Sequence, residues 1–216
     1  MDEASKTLSL YSELLVPYLK GRILDIGAGV DPITKEAEVF DKEQGDAQKL
    51  DLYFPAASFD TVFSSHCLEH MRNPREALKA WYSLVKPGGY IVVLVPDEDL
   101  YEQGHFPSIF NSDHKATFTL SKSHSWSPVS HNCLDLAREL DGDLIYLALQ
   151  SDNYDLARRT FRKLGILRFH AIRHLLRFPT LNALSFKLKV RPIDQTSRGV
   201  NVLAQNCFIV QKRQAL

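Results

Sequence analysis

The stretch Ile23-Leu24-Asp25-Ile26-Gly27-Ala28-Gly29-Val30-Asp31 decides the fold. An apolar run reaches an acidic residue, and two glycines follow at once. A buried parallel strand enters in this way a turn whose backbone must come close to a ligand. The first strand is therefore expected over Arg22 to Ile26. A helix over residues 3–19 precedes it, because Leu8, Tyr11, Leu14, Leu15 and Tyr18 recur at helical spacing, and Gly21 ends it.

Downstream, strand and helix patterns alternate. Ala37 to Phe40 reads as a short second strand ending at Asp41, Gln48 to Tyr53 as a third extended piece, and Phe59 to Ser64 as a fourth strand. Asn73 caps the next helix, with Pro74 in its first turn and Glu76 completing a capping box. Ala77, Leu78, Trp81, Leu84 and Val85 form its apolar stripe, and Lys86-Pro87-Gly88-Gly89 stops it. Tyr90 to Val95 is continuously apolar, which suits a central strand. Ser130 to Leu140 reads as a helix, Leu144 to Leu149 as a strand, Tyr154 to about Leu176 as a basic helix, and Asn201 to Lys212 as the last strand. The fold class is α/β: a Rossmann-like, doubly wound, mostly parallel sheet with an antiparallel C-terminal strand. Only about a dozen residues separate Gly29 from Asp41, little for a crossover that normally needs ten to twelve with its helix. A shortened first crossover follows, with Pro32 starting at most one turn.

A chain of 216 residues fits one domain, with a substrate-side loop at about 97–128 and a basic helical insertion at about 151–198. Its 44% apolar and 24% charged residues are ordinary for a globular protein. Cys67, Cys133 and Cys207 are odd in number and far apart, which disfavours a disulfide framework and fits a reducing compartment. No apolar run is long enough for a membrane span, and Met1-Asp2-Glu3 opens no signal peptide, so a cytoplasmic protein is expected. Net charge is zero, but residues 151–198 hold 11 Lys or Arg against 3 Asp or Glu. That excess suggests an amphipathic cover or a homodimer surface, whereas overall neutrality disfavours nucleic acid.

Gly27-x-Gly29 alone is shared with dinucleotide-binding turns, but Pro32 stands where their third glycine belongs. A carboxylate at Asp25 is better placed to receive an ammonium group than a phosphate. Asp41, ending the second strand, can accept both hydroxyls of a ribose. Asp46, in Gly45-Asp46-Ala47, could bind an exocyclic amino group. Ser58-Phe59-Asp60 then opens the fourth strand, and Leu68-Glu69-His70 follows it.

This ordered set, over residues 22 to about 97, resembles the class I S-adenosylmethionine-dependent methyltransferases. The likeness is to the small-molecule group with a leucine-glutamate-histidine segment after strand four. The resemblance implies that Asp25, Gly27 and Gly29 surround the methionine moiety and Asp41 holds the ribose. It implies that Asp46 and Ala47 meet the adenine, and that Ser64, Ser65 and His66 line the pocket below the reactive methyl. The cofactor would be S-adenosylmethionine and the product S-adenosylhomocysteine. The family's third glycine is Asp31 here.

The acceptor is expected to be an oxygen or nitrogen of a small polar metabolite, such as a sugar or a natural-product precursor. Methyl transfer needs an aligned nucleophile and, for a hydroxyl, a base. His105 and His114 are the candidates, with His66 next. His66-Cys67-Leu68-Glu69-His70 matches the letters of an H-x-x-E-H zinc motif, but it follows a strand end instead of lying on a helix, so no metal is expected. The rival functions are a catalytically inactive S-adenosylmethionine-binding or regulatory protein, an RNA methyltransferase using the basic segment, and a nicotinamide oxidoreductase, which Pro32 disfavours.

Overall fold

A computed structural model describes residues 3–156, 193–197 and 201–214. Strand β1 (Ile23–Ile26) is buried along its whole length. It pairs in parallel with β2 (Glu38–Phe40) on one side and β3 (Phe59–Ser65) on the other. Beyond β3 lies β4 (Val85–Pro96), also parallel. Strand β8 (Gln205–Lys212) runs antiparallel between β4 and β7 (Gly142–Gln150). The sheet order is β2-β1-β3-β4-β8-β7, so the mostly parallel sheet with an antiparallel C-terminal strand is borne out. The chain leaves β1 toward one edge and returns to its other side as β3. Ligands of open α/β sheets bind in the crevice at the carboxyl ends of such a strand pair.

Side chains alternate across the sheet with the period of two that strands impose. Leu24, Ile26, Val62, Ile91 and Val93 face a core shared with Ala77, Leu78 and Trp81 of helix α2 (Pro74–Ser83). Ile23, Phe63, Val92, Leu94 and Ile209 face the opposite core, closed by Ala4 and Leu15 of helix α1 (Glu3–Leu15). Helix α2 starts where its residues dictate: Pro74 occupies the first turn, and Asn73 Oδ1 accepts from the Glu76 amide at 3.3 Å. Its Trp81 is fully buried and donates Nε1–H to the Ala47 carbonyl at 2.7 Å.

Several expectations change. Gln48 to Tyr53 is not extended: Ala47–Leu52 form a 3-10 helix, because Asp46 caps it through the Gln48 amide at 3.0 Å and the segment lacks an alternating pattern. Strand β4 already begins at Val85, and a register shift opposite Phe59–Thr61 absorbs the Pro-Gly-Gly segment. The expected helix from Ser130 splits into strand β6 (Ser130–Asn132), parallel to β5 (Thr117–Thr119), and helix α3 (Cys133–Arg138). Asn132 makes the break, its Oδ1 accepting from the Asp135 amide. The short first crossover is as expected. Between β1 and β2 the chain makes only turns, closed by Asp31 N–H to Ala28 C=O and Ala37 N–H to Thr34 C=O. The basic helix expected from Tyr154 falls mostly on residues 157–192, outside the described residues. Among the described residues no helix is long and apolar enough to cross a membrane.

Candidate active site

The carboxyl ends of β1, β2 and β3 converge on two adjoining cavities of about 300 and about 310 Å³ that share Gly27 and His66. Each is at the lower end of the range that holds a small ligand. The first is lined by Glu3 and Ala4 of α1, by Asp25, Gly29 and Asp31, and by Ser65. The second is lined by Asp41, Gly45, Asp46, Ala47, Cys67 and Met71.

Gly27 makes the junction possible. Its φ is +79°, its amide donates to the Phe40 carbonyl at 2.8 Å, and an added Cβ would stand 2.6 Å from the Cys67 Cβ. Gly27→Ala should therefore lower stability by about 1–3 kcal/mol, from left-handed backbone plus overpacking. A urea midpoint equal to wild type would show that the turn can relax.

Asp25 is 1% exposed and accepts the Ile33 amide at 2.7 Å. Burial pushes its carboxyl up to about 7, helped by the charges of Asp31 and Asp41 and opposed by the Ile33 hydrogen bond. Asp41 accepts from the amides of Gly29 at 2.8 Å and Lys42 at 2.6 Å. A carboxylate offers about four lone pairs, so acceptor capacity remains. Asp31 binds the first turn of α1, taking the Ser5 amide at 2.8 Å and the Ser5 hydroxyl at 2.5 Å. The amides of Gly29, Ile33 and Lys42 are thus spent on the protein's own carboxylates.

The expected site residues separate into two groups. Asp25, Gly27, Gly29 and Ser65 line the first cavity, Gly27, Asp41, Asp46 and Ala47 the second, and His66 lines both. Ser64 does not reach either: it is fully buried, its hydroxyl donating to the Ile26 carbonyl at 3.1 Å, because its place in β3 points it into the sheet. Among the three histidines, His66 adopts φ +53°, a strained value for a side-chain-bearing residue and one typical of functional turns. His105 and His114 are buried and line neither cavity. Burial pulls the His114 imidazole down, but the Glu102 hydrogen bond at 2.6 Å and the charges of Glu69 and Glu102 outweigh it and leave it raised.

The substrate-side loop is held by buried carboxylates, Glu98 and Asp97. Glu98, fully buried, accepts from Lys122 Nζ at 3.0 Å, Ser125 Oγ at 2.7 Å and Ser130 Oγ at 2.6 Å. Asp97 accepts from Asn206 Nδ2 at 3.1 Å. Gln205 orients His66, its Oε1 lying 2.8 Å from His66 Nε2. The available signals were an acidic triplet, Asp97-Glu98-Asp99, at the end of a central strand, and a polar pair, Gln205-Asn206, opening an apolar one.

A family model described as a methyltransferase domain matches residues 4–144. No curated protein matches the sequence. Among solved structures, a candidate methyltransferase of Bacillus halodurans C-125 is 14% identical, covers 98% of this chain and 99% of its own, and has a TM-score of 0.53. Phosphoethanolamine N-methyltransferase 2 of Haemonchus contortus, in complex with S-adenosyl-L-methionine, is 15% identical with a TM-score of 0.50. The alignment covers 95% of this chain and 53% of that one. The [4+2]-cyclase SpnF is 14% identical, covers 99% of this chain and 82% of its own, and has a TM-score of 0.51. At such identities the likeness is one of fold, and a fold carries many chemistries.

Proposed function

The chain belongs to the class I methyltransferase-domain family, and on that premise we propose that it transfers a methyl group from S-adenosylmethionine to an oxygen or nitrogen of a small polar metabolite. The single observation that carries the cofactor reading is the pair of cavities meeting at Gly27 and His66. The acidic first cavity, with Asp25 and Asp31, suits an ammonium-bearing amino-acid end. The second offers Asp41 to ribose hydroxyls and Asp46 to an adenine amino group, beside the apolar Cys67 and Met71. Such an elongated ligand would bend at His66, which puts its reactive sulfonium near the shared wall. The consumed loop amides argue the same way, since a pyrophosphate needs free N–H groups and a cation does not.

Transfer is an in-line displacement at the sulfonium methyl: the acceptor's lone pair forms the new bond and the sulfur keeps the old pair, leaving S-adenosylhomocysteine. The protein's part is alignment and exclusion of water. Of the three candidate histidines, His66 alone lines these cavities, and its part is to shape the wall where acceptor and methyl meet.

Calorimetry with S-adenosylmethionine, then transfer of a labelled methyl over pooled polar metabolites, tests this. Tight binding without transfer to any acceptor would favour a regulatory cofactor-binding protein instead. Asp41→Ala should weaken cofactor binding by about 1–3 kcal/mol through lost charged hydrogen bonds. An unchanged dissociation constant would remove Asp41 from the ribose.

A further inference from the structure

We infer that Glu69, His70 and His114, with His66 alongside, form a binding site for one divalent transition-metal ion in the wall beside the second cavity. One ligand atom from each of Glu69, His70 and His114 lies within 4.8 Å of the others. Glu69 and His70 sit on a 3-10 turn (Leu68–His70) directly after β3. His114 comes from the substrate-side loop and is tied to that turn by backbone: the Lys115 and Ala116 amides both donate to the Glu69 carbonyl, at 2.8 and 3.2 Å.

Hydrogen-bond bookkeeping leaves a place for positive charge beside Glu69. Both Glu69 carboxylate oxygens are buried, the side chain is 1% exposed, and neither oxygen has a hydrogen-bond donor among the described residues. The two imidazoles facing Oε1 do not supply one. Gln205 Nε2 donates to Thr7 Oγ1 at 3.0 Å and Gln150 Oε1 at 2.7 Å, so Gln205 Oε1 is left to accept from His66 Nε2–H. In the neutral ring this turns the His66 Nδ1 lone pair toward Glu69 Oε1, 3.6 Å away. His114 mirrors it. Its Nδ1 lies 2.6 Å from Glu102 Oε1, a carboxylate also 1% exposed, which leaves the Nε2 lone pair 3.9 Å from the same Glu69 Oε1. With both rings neutral, three acceptors face one another with no hydrogen between them, and the buried charge calls for a proton on one imidazole or for a metal ion, which the Co²⁺ titration below tells apart.

A carboxylate behind a histidine is the usual outer support of a metal-binding imidazole, fixing its tautomer and raising its basicity. His114 has Glu102 in that position, and His70 Nδ1 has Asp113 Oδ2 at 3.0 Å. The His114 ring is further fixed by stacking on Tyr101 at 5.3 Å. Ligand atoms about 2.0–2.2 Å from one ion stand roughly 3–4 Å apart, so closing this cluster needs shifts of about 1 Å. Imidazole nitrogens with one carboxylate favour zinc, iron or cobalt over magnesium or calcium, which prefer all-oxygen shells. His70 and Asp113 line the second cavity and give the ion an entry path. The absence of metal expected from the sequence rested on the missing helix. A short turn and a remote histidine replace it.

The test needs no methyl donor, so its outcome is independent of the cofactor reading. The full chain is stripped with chelator, then titrated with Co²⁺ while visible d–d absorption and melting temperature are followed. One equivalent should bind, with new visible bands and a raised melting temperature. Glu69→Gln and His114→Gln should weaken binding at least 100-fold, and Glu102→Gln about 10–100-fold by loosening the His114 support. Circular dichroism on each variant separates lost metal from lost fold. Wild-type protein showing neither bands nor a shifted melt overturns the inference whatever the variants do. So does a folded Glu69→Gln protein that binds Co²⁺ as tightly as wild type.

Discussion

Trp81→Ala should lower the stability of this domain by about 3–5 kcal/mol, in the upper part of that range. The indole is fully buried within the core that α2 shares with the sheet. Its removal leaves a cavity in close-packed surroundings and deprives the Ala47 carbonyl of its Nε1–H donor. Trp81→Phe refills most of the volume and loses only the hydrogen bond, so it should cost about 1–2 kcal/mol. Urea denaturation of both variants reads the difference. The Ala variant should also weaken S-adenosylmethionine binding, since Ala47 follows Asp46 on the second cavity. A Trp81→Ala midpoint near that of wild type would mean that α2 is not the buttress of this wall.

The second large effect is electrostatic and has two opposite slopes. Asp25 holds its proton up to about pH 7 in the folded chain, against an ordinary value of 3.8. The native state therefore binds this proton more tightly than the unfolded one. The stability it contributes is complete below about pH 4 and is lost as pH rises through 7, by roughly 1.4 kcal/mol per pH unit inside that window. Ligand binding should run the other way. If the cofactor's ammonium meets ionised Asp25, affinity falls about tenfold per pH unit below 7, some 100-fold by pH 5. Asp25→Asn stays neutral while still offering an oxygen to the Ile33 amide, so it should flatten both slopes and bind the cofactor weakly throughout. Urea melts and calorimetry over about pH 5 to 8 measure the two. A wild-type dissociation constant that ignores pH would show that the ammonium lies elsewhere.

Much of this architecture was legible because it is written in local pattern. The apolar run before Asp25, the Asn73-Pro74 start of α2 and the unbroken Tyr90 to Val95 segment each specify their element without help from distant residues. The failures fall where a side chain overrides pattern. Asp46 and Asn132 cap helices in stretches that read otherwise, and Ser64 looks like a pocket residue until the pleat of β3 turns it inward. The site was half legible for the same reason. Asp25, Gly27, Gly29 and Asp41 are local to strand ends, so their order exposed them. The pairing of His114 with Glu102 and Glu69, and of His66 with Gln205, joins positions 12 to 139 residues apart. Nothing in the spacing of the letters foretells such contacts.

The clasp of Asp31 on Ser5 has one more implication. The first turn of α1 contributes Glu3 and Ala4 to the wall of the acidic cavity, so docking of that helix and occupancy of that cavity share a single free energy. Reciprocity then holds: whatever factor by which a ligand tightens the helix, the docked helix must return to the ligand. A bulky fusion tugging at the amino-terminal end would register as reduced affinity, by drawing Glu3 and Ala4 away from the cavity.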